Sequence, residues 1–225
     1  MILMANAMMG AAGYQAASTP SGDQFFLSAA DYTIGDGIAQ LPLLNPTGIT
    51  ASVIDDGGKN AIRLSRTSSG RCTVEIDCGL ALAGECELYL KQRGVGNADY
   101  HFMMFSNGLT GSDATGITVC NAGGTVGNYR IARITPTFSA LASMNYADWG
   151  IEHRTLFRTN GNNSHDVFLW TGAGSVPASP FLSDTTAVGM ADTSLVYLSA
   201  ARDSECYLYE LGLGVNGAPA PMEPI

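Results

Sequence analysis

The run Glu75-Ile76-Asp77 sets two carboxylates two residues apart in an alternating segment. In a β-strand residues i and i+2 share a face. Two carboxylates on one face are the equipment of retaining glycoside hydrolysis, where one acts as nucleophile and the other supports it. The competing reading is a solvated polar face. His101, His153 and His165 share no metal-ligand spacing. His153 stands in step with Trp149, Ile151, Thr155 and Phe157, which is the setting of a hydrogen-bonded core histidine. His165-Asp166 is expected in a turn. Asp55 and Asp56, in Ile54–Gly58, form an oxygen-rich loop that is a weak Ca²⁺ candidate, with a plain turn as the alternative. Asn162-Asn163-Ser164 fits a glycosylation sequon, a triplet that arises easily by chance. There is no G-x-S-x-G elbow and no phosphate-binding P-loop. No cofactor is expected.

Trp149, Trp170, Tyr197, Tyr207 and Tyr209 are the aromatic resources for stacking on a sugar. Their other expected place is a sandwich core. Five cysteines, Cys72, Cys78, Cys86, Cys120 and Cys206, form no C-x-x-C pair. In one strand Cys72 and Cys78 would lie about 20 Å apart, too far to bridge. Free buried thiols made in a reducing cytoplasm are expected.

Strands must position these groups. The chain has 225 residues, 27 of them Gly, and only 14% are charged. That composition favours short strands and turns over helices. A domain this long buries roughly 70% of its unfolded surface and needs no disulfide staples. The net charge of −9, with Lys59 and Lys91 the only lysines, argues against nucleic acid and anionic membranes as partners.

Arg71–Cys78 alternates cleanly: Cys72, Val74, Ile76 and Cys78 on one face, Arg71, Thr73, Glu75 and Asp77 on the other. Cys86, Leu88 and Leu90 repeat the pattern. Further strands are expected around 99–105, 115–120, 128–134, 149–159, 194–200 and 205–215, a strand and hairpin turn over 165–176, and a short helix around Phe138–Asn145. The Pro-rich stretch 218–225 cannot join a central strand.

The first fifteen residues hold four Met and no charge. They lack the basic start of a secretory signal and the length of a membrane span. They are expected to be an assembly arm, with Met1, Ile2, Leu3, Met4, Met8 and Met9 at the interface. The expected organisation is arm and linker over 1–22, a β-sandwich over 23–217 and a tail over 218–225.

Two resemblances follow. Glu75-Ile76-Asp77 resembles the E-[ILV]-D-x-(x)-E signature of laminarinase-like glucanases. In that family a further Glu supplies the general acid just downstream, where this chain has Gly79 and Leu80. The departure puts hydrolysis in doubt, and the chain is read as a non-enzyme. The carboxy-terminal third, "DWGIEHRTLFRT", "DVFLWTGAGSV" and "SLVYLSAARDSECYLYELGLGVNGAPAP", resembles the concanavalin A-like, laminin-G-like sandwich, with Thr171-Gly172 in place of the usual Asp-Gly. The resemblance implies an all-β, two-sheet antiparallel jelly roll. Such domains are frequent in tailed-bacteriophage structural proteins, which implies a virion decoration or tail component. Its partners would be further copies of itself and other virion proteins, with a cell-surface glycan as a further candidate. It would be made in the host cytoplasm. The alternatives are a lectin-like module, with Trp149, Trp170, Tyr207 and Tyr209 contacting the glycan, and, behind that, a glucanase.

Overall fold

Alternation of apolar and polar residues builds almost every element. The computed structural model describes residues 23–67, 72–80, 85–96, 99–106, 116–122, 127–133, 139–146, 150–160, 163–187, 195–201 and 204–222. The arm 1–15, its linker and Trp149 lie outside the described residues. In chain order the strands are β1 (Gln24–Ser28), β2 (Leu43–Thr47), β3 (Ile49–Asp55), β4 (Asn60–Arg66), β5 (Cys72–Ile76), β6 (Cys86–Gly96), β7 (Asp99–Ser106) and β8 (Gly116–Ala122). They continue as β9 (Gly127–Arg133), β10 (Ser139–Tyr146), β11 (His153–Thr159), β12 (His165–Thr171), β13 (Leu182–Asp184), β14 (Leu195–Ala201) and β15 (Ser204–Gly214).

Two antiparallel sheets result. An eight-stranded sheet runs β13-β12-β11-β6-β15-β4-β3, with β1 paired to the second half of β15. A seven-stranded sheet runs β10-β9-β8-β7-β14-β5-β2. Between them lies one core, from Leu64, Leu88, Leu90, Phe157, Val167, Leu211 and Leu213 on one side to Cys72, Val74, Ile76, Ile131 and Leu198 on the other. Cys72, Val74 and Ile76 point inward as their alternation predicts, and Cys78 is half-buried against them. Thr73, on the opposite face, is also buried, between Thr47 and Ser199 in the ladder. Cys72, Cys78, Cys86 and Cys206 are free thiols.

Three expectations are corrected. Residues 139–146 form β10 rather than a helix. Pairing with β9 and the packing of Tyr146 edge-on against Tyr129, 5.4 Å away, override the helix propensity of Ala and Met. His165 opens β12 instead of a turn. It is fully buried, with Thr159 Oγ1 2.8 Å from Nδ1. The strand expected from Trp149 begins only at His153.

The core holds a polar hub. His153 Nδ1 donates to the Ile151 carbonyl, 3.0 Å away, leaving Nε2 to accept from the Tyr129 hydroxyl at 3.0 Å. Gln92 Nε2 and Thr155 Oγ1 lie 3.1 and 3.0 Å from the same oxygen. The hub ties β9 of one sheet to β6 and β11 of the other, and satisfies groups that would be costly if bare.

The sheet edges are treated unequally. β13 has three residues. β2 carries Pro46 and an irregular register, with Asn45 in the left-handed region at φ 49°. Residues 35–37 lie along β3, where Gly35 N–H donates to the Val53 carbonyl and Val53 N–H to the Asp36 carbonyl. β10 has a register shift between Ala140 and Ala142.

Residues 215–222 fold back across the outer face of the eight-stranded sheet. Gln24 Nε2 donates to the Pro219 carbonyl at 2.7 Å, and Ala220 N–H to Glu87 Oε2 at 3.1 Å. Ala220 is buried against Tyr89, Leu156 and Phe168. The tail crosses the sheet without joining it, as its prolines require. Gly212 and Gly214 make room: a Cβ on Gly212 would sit 1.9 Å from the Pro221 oxygen, and one on Gly214 2.1 Å from the Ala218 oxygen. Gly212→Ala is therefore expected to unseat the tail and cost about 1–3 kcal/mol. Denaturant unfolding, with limited proteolysis at residues 215–222, reads both effects. A variant of unchanged stability and unchanged cleavage would show that the contact contributes nothing.

Candidate functional site

β15 breaks its own alternation. Cys206 and Leu208 point into the core, and so do Leu211 and Leu213. The parity is restored by a bulge: Leu208 pairs with Gln92 while Glu210 pairs with Lys91, leaving Tyr209 extra. Two successive side chains, Tyr209 and Glu210, are thereby sent to the same outer face.

Each meets a charged partner there. Asp56, from the β3–β4 turn, receives the Arg93 guanidinium and the Tyr209 hydroxyl, and Arg93 Nε also donates to the Tyr209 oxygen at 3.1 Å. Glu210, 3% exposed, pairs with Lys91 and accepts from the Tyr89 hydroxyl at 3.1 Å. The hydrogen bonds from Arg93 hold the Asp56 carboxyl below its ordinary pKa against the opposing pull of burial, and Tyr209 adds to the lowering. Burial, then the Asp56 bond, pushes the Tyr209 phenol up.

The Lys91–Glu210 pair and Tyr209 border an open cleft of about 440 Å³, lined also by Ser28, Lys59 and Asn60, among others. Beside it Tyr207 is half-buried, with the Arg93 guanidinium 4.4 Å from its ring centre. Along the same face Trp170 lies 6.2 Å from the Tyr89 ring, and Arg154 stands opposite both Trp170 and Lys91. The face thus offers aromatic surface next to fixed donors and acceptors.

The structure gathers Trp170, Tyr207 and Tyr209 on this one face, although the ties to Asp56 and Arg93 leave Tyr209 only 5% exposed. Tyr197 belongs to the other sheet, in register with Glu75 and Met103. So does Glu75, which accepts from Asn45 Nδ2 at 2.8 Å. Asp77 follows the end of β5, and the chain then passes through Gly79 at φ 64°. His101 sits in β7 opposite Ser199 and Cys120. Asp55 accepts from Gly58 N–H at 2.6 Å, closing the turn, and Asp56 is engaged by Arg93. No cluster of metal-ligating side chains, and no helix long and apolar enough to cross a membrane, occurs among the described residues.

Lys91, Arg93, Arg154 and Glu210 escaped the sequence reading. A signal existed for the basic ones. They occupy alternate, polar positions in strands of a chain with 11 Lys and Arg in all.

No protein-family model and no curated protein matches the sequence. Solved structures do. Domain 4 of AbnA, a GH43 extracellular arabinanase from Geobacillus stearothermophilus in complex with arabinotriose, superposes with a TM-score of 0.55 at 13% identity, covering 89% of this chain and 93% of that one. The Emp47p carbohydrate recognition domain gives 0.50 at 11% identity, over 87% and 96%. Alginate lyase Aly36B gives 0.51 at 12%, over 86% and 97%. The fold is a concanavalin A-like jelly roll.

The Asp56–Arg93 pair generates a pH prediction. A carboxyl whose folded pKa lies below its unfolded value stabilises above the unfolded pKa and loses that contribution as pH falls through the folded one. Asp56→Asn is thus expected to lower stability by about 1–3 kcal/mol at neutral pH. The gap to the wild type should close below about pH 4. Urea unfolding across pH measures it, and a gap that ignores pH would refute the ion pair's role.

Proposed function

We propose that this protein is a non-enzymatic, lectin-like carbohydrate-binding module that holds an oligosaccharide on the outer face of the eight-stranded sheet. The observation that carries the reading is the cleft of about 440 Å³, lined by the Lys91–Glu210 ion pair and Tyr209. A sugar hydroxyl both donates and accepts, so it suits a wall where the Lys91–Glu210 pair presents both roles at fixed positions, with Asp56 and Arg93 holding the neighbouring Tyr209. Tyr207 and Trp170 offer apolar surface for the C–H faces of the ring. The fold is shared with a carbohydrate recognition domain, an arabinanase domain bound to arabinotriose, and an alginate lyase. That likeness is support by analogy.

Glu75 lies on the opposite sheet, away from this cleft, so the carboxylate pair of the glucanase reading plays no part in it. The virion reading drew on the resemblance of the carboxy-terminal third and on the arm over residues 1–15, which lies outside the described residues, and the comparisons favour its lectin-like alternative.

A glycan array followed by titration calorimetry tests the proposal. The wild type is expected to bind a defined set of oligosaccharides without releasing reducing ends. Tyr207→Ala should weaken binding about two- to tenfold, the worth of one aromatic contact, with an unchanged melting temperature. Glu75→Gln should bind as the wild type does. An array with no saturable ligand, or a Tyr207→Ala variant of full affinity, would refute the assignment.

A further inference from the structure

The distribution of charge on this face specifies the ligand class further, building on the saccharide-binding reading. Of the chain's 11 Lys and Arg residues, Arg63, Lys91, Arg93, Arg154 and Arg158 all stand on the outer face of the eight-stranded sheet. The molecule as a whole carries −9, and the same face also holds Glu87, Asp166, Glu205 and Glu210, so what marks it is the placing of its cations and not a net positive charge. Three of the five are neutralised locally: Lys91 by Glu210, Arg93 by Asp56 and Arg158 by Glu87.

Arg63 and Arg154 have no carboxylate partner among the described residues. Arg154 donates to the Gly172 carbonyl, which satisfies an N–H without cancelling its charge. Arg63 Nε is buried with no acceptor, and so is Nε1 of Trp170, which stands opposite Arg154 in the ladder. A buried donor without an acceptor is costly, and more so on a charged group. Both are left wanting an acceptor on the face that holds the cleft.

Their spacing gives the ligand a length. Arg154 on β11 and Arg63 on β4 are separated by β6 and β15, three strand spacings or about 14 Å across the sheet, and by two residues or about 7 Å along it. Between them lie Lys91 with Glu210, and Tyr207, which is in register with both Arg63 and Arg93. A chain laid across the strands from Arg154 to Arg63 would pass over the cleft and the Tyr207 ring.

We infer that the face recognises an anionic oligosaccharide, one whose carboxylate or sulfate groups meet Arg154 with Trp170 at one end and Arg63 at the other. A guanidinium engages either anion through paired N–H donors. The acidic remainder of the molecule repels polyanions in general, so binding demands sugar contacts as well as charge.

Titration calorimetry on the full chain tests this with four probes: an oligogalacturonate, a heparin-derived sulfated oligosaccharide, a neutral malto-oligosaccharide of equal length, and a poly-glutamate peptide. One of the two acidic sugars is expected to bind at least about tenfold more tightly than the neutral one, and which one identifies the anion. Its affinity should fall as salt rises. Arg63→Gln and Arg154→Gln should each weaken it about tenfold or more, the worth of a charge-assisted hydrogen bond. Arg158→Gln, whose partner is Glu87, should leave it unchanged. Circular dichroism and melting temperature verify folding, and the Arg154 variant stands alone if Arg63→Gln fails to fold. Equal affinity for neutral and acidic sugars would overturn the inference while leaving saccharide binding intact. Poly-glutamate binding as tightly as the sugars would also overturn it, by showing bare charge attraction. No binding of any sugar would overturn both readings.

Discussion

The pairing of β6 with β15, and the single extra residue inside it, governs the rest of the molecule. Without the bulge at Tyr209 the strand would keep one parity throughout. Either Cys206 and Leu208 or Leu211 and Leu213 would then face solvent, and the core would lose half of one central strand. With it both apolar pairs are inward, and Tyr209 and Glu210 emerge side by side. One departure from ideal pairing therefore completes the core and furnishes the cleft.

The charged pairs on that face act as geometry more than as stabilisation. Glu210 is nearly fully buried, and a carboxylate so placed is tolerable only because Lys91 and Tyr89 hold it. Removing a partner would leave an exposed penalty, whereas replacing the whole set by apolar groups would cost little. Retaining ions there is intelligible if their positions matter: donors and acceptors held by one another do not need to be ordered again when a ligand arrives.

Local pattern carried much of the architecture. The alternation through Cys72–Cys78 correctly oriented β5, and Pro219 and Pro221 correctly barred the tail from a ladder. What pattern could not carry was pairing at a distance. Arg63, Arg93 and Arg154 sit in three strands far apart in the chain, and only the orders β11-β6 and β15-β4 bring them to one face. Ser139–Tyr146 misled because Ala and Met suit a helix, while the deciding contacts with Tyr129 and β9 lie outside the segment. His165 looked like a turn because Asp166 and the preceding Asn and Ser are turn formers. Its burial comes from Thr159 across the hairpin. Trp170, Tyr207 and Tyr209 were picked out as aromatics, but the unpaired donors beside them depend on neighbours that periodicity does not name.

The unequal treatment of the sheet edges bears on how the molecule behaves when crowded. Strand-to-strand growth into fibres requires two open edges on every unit, so that each added copy exposes a fresh one. Here β13 is too short, Pro46 interrupts β2, and residues 35–37 already occupy β3. β10, the remaining outer strand of the seven-stranded sheet, is itself interrupted by a register shift between Ala140 and Ala142. Each of these four outer strands thus carries an irregularity or a cover that disfavours the addition of another copy's strand.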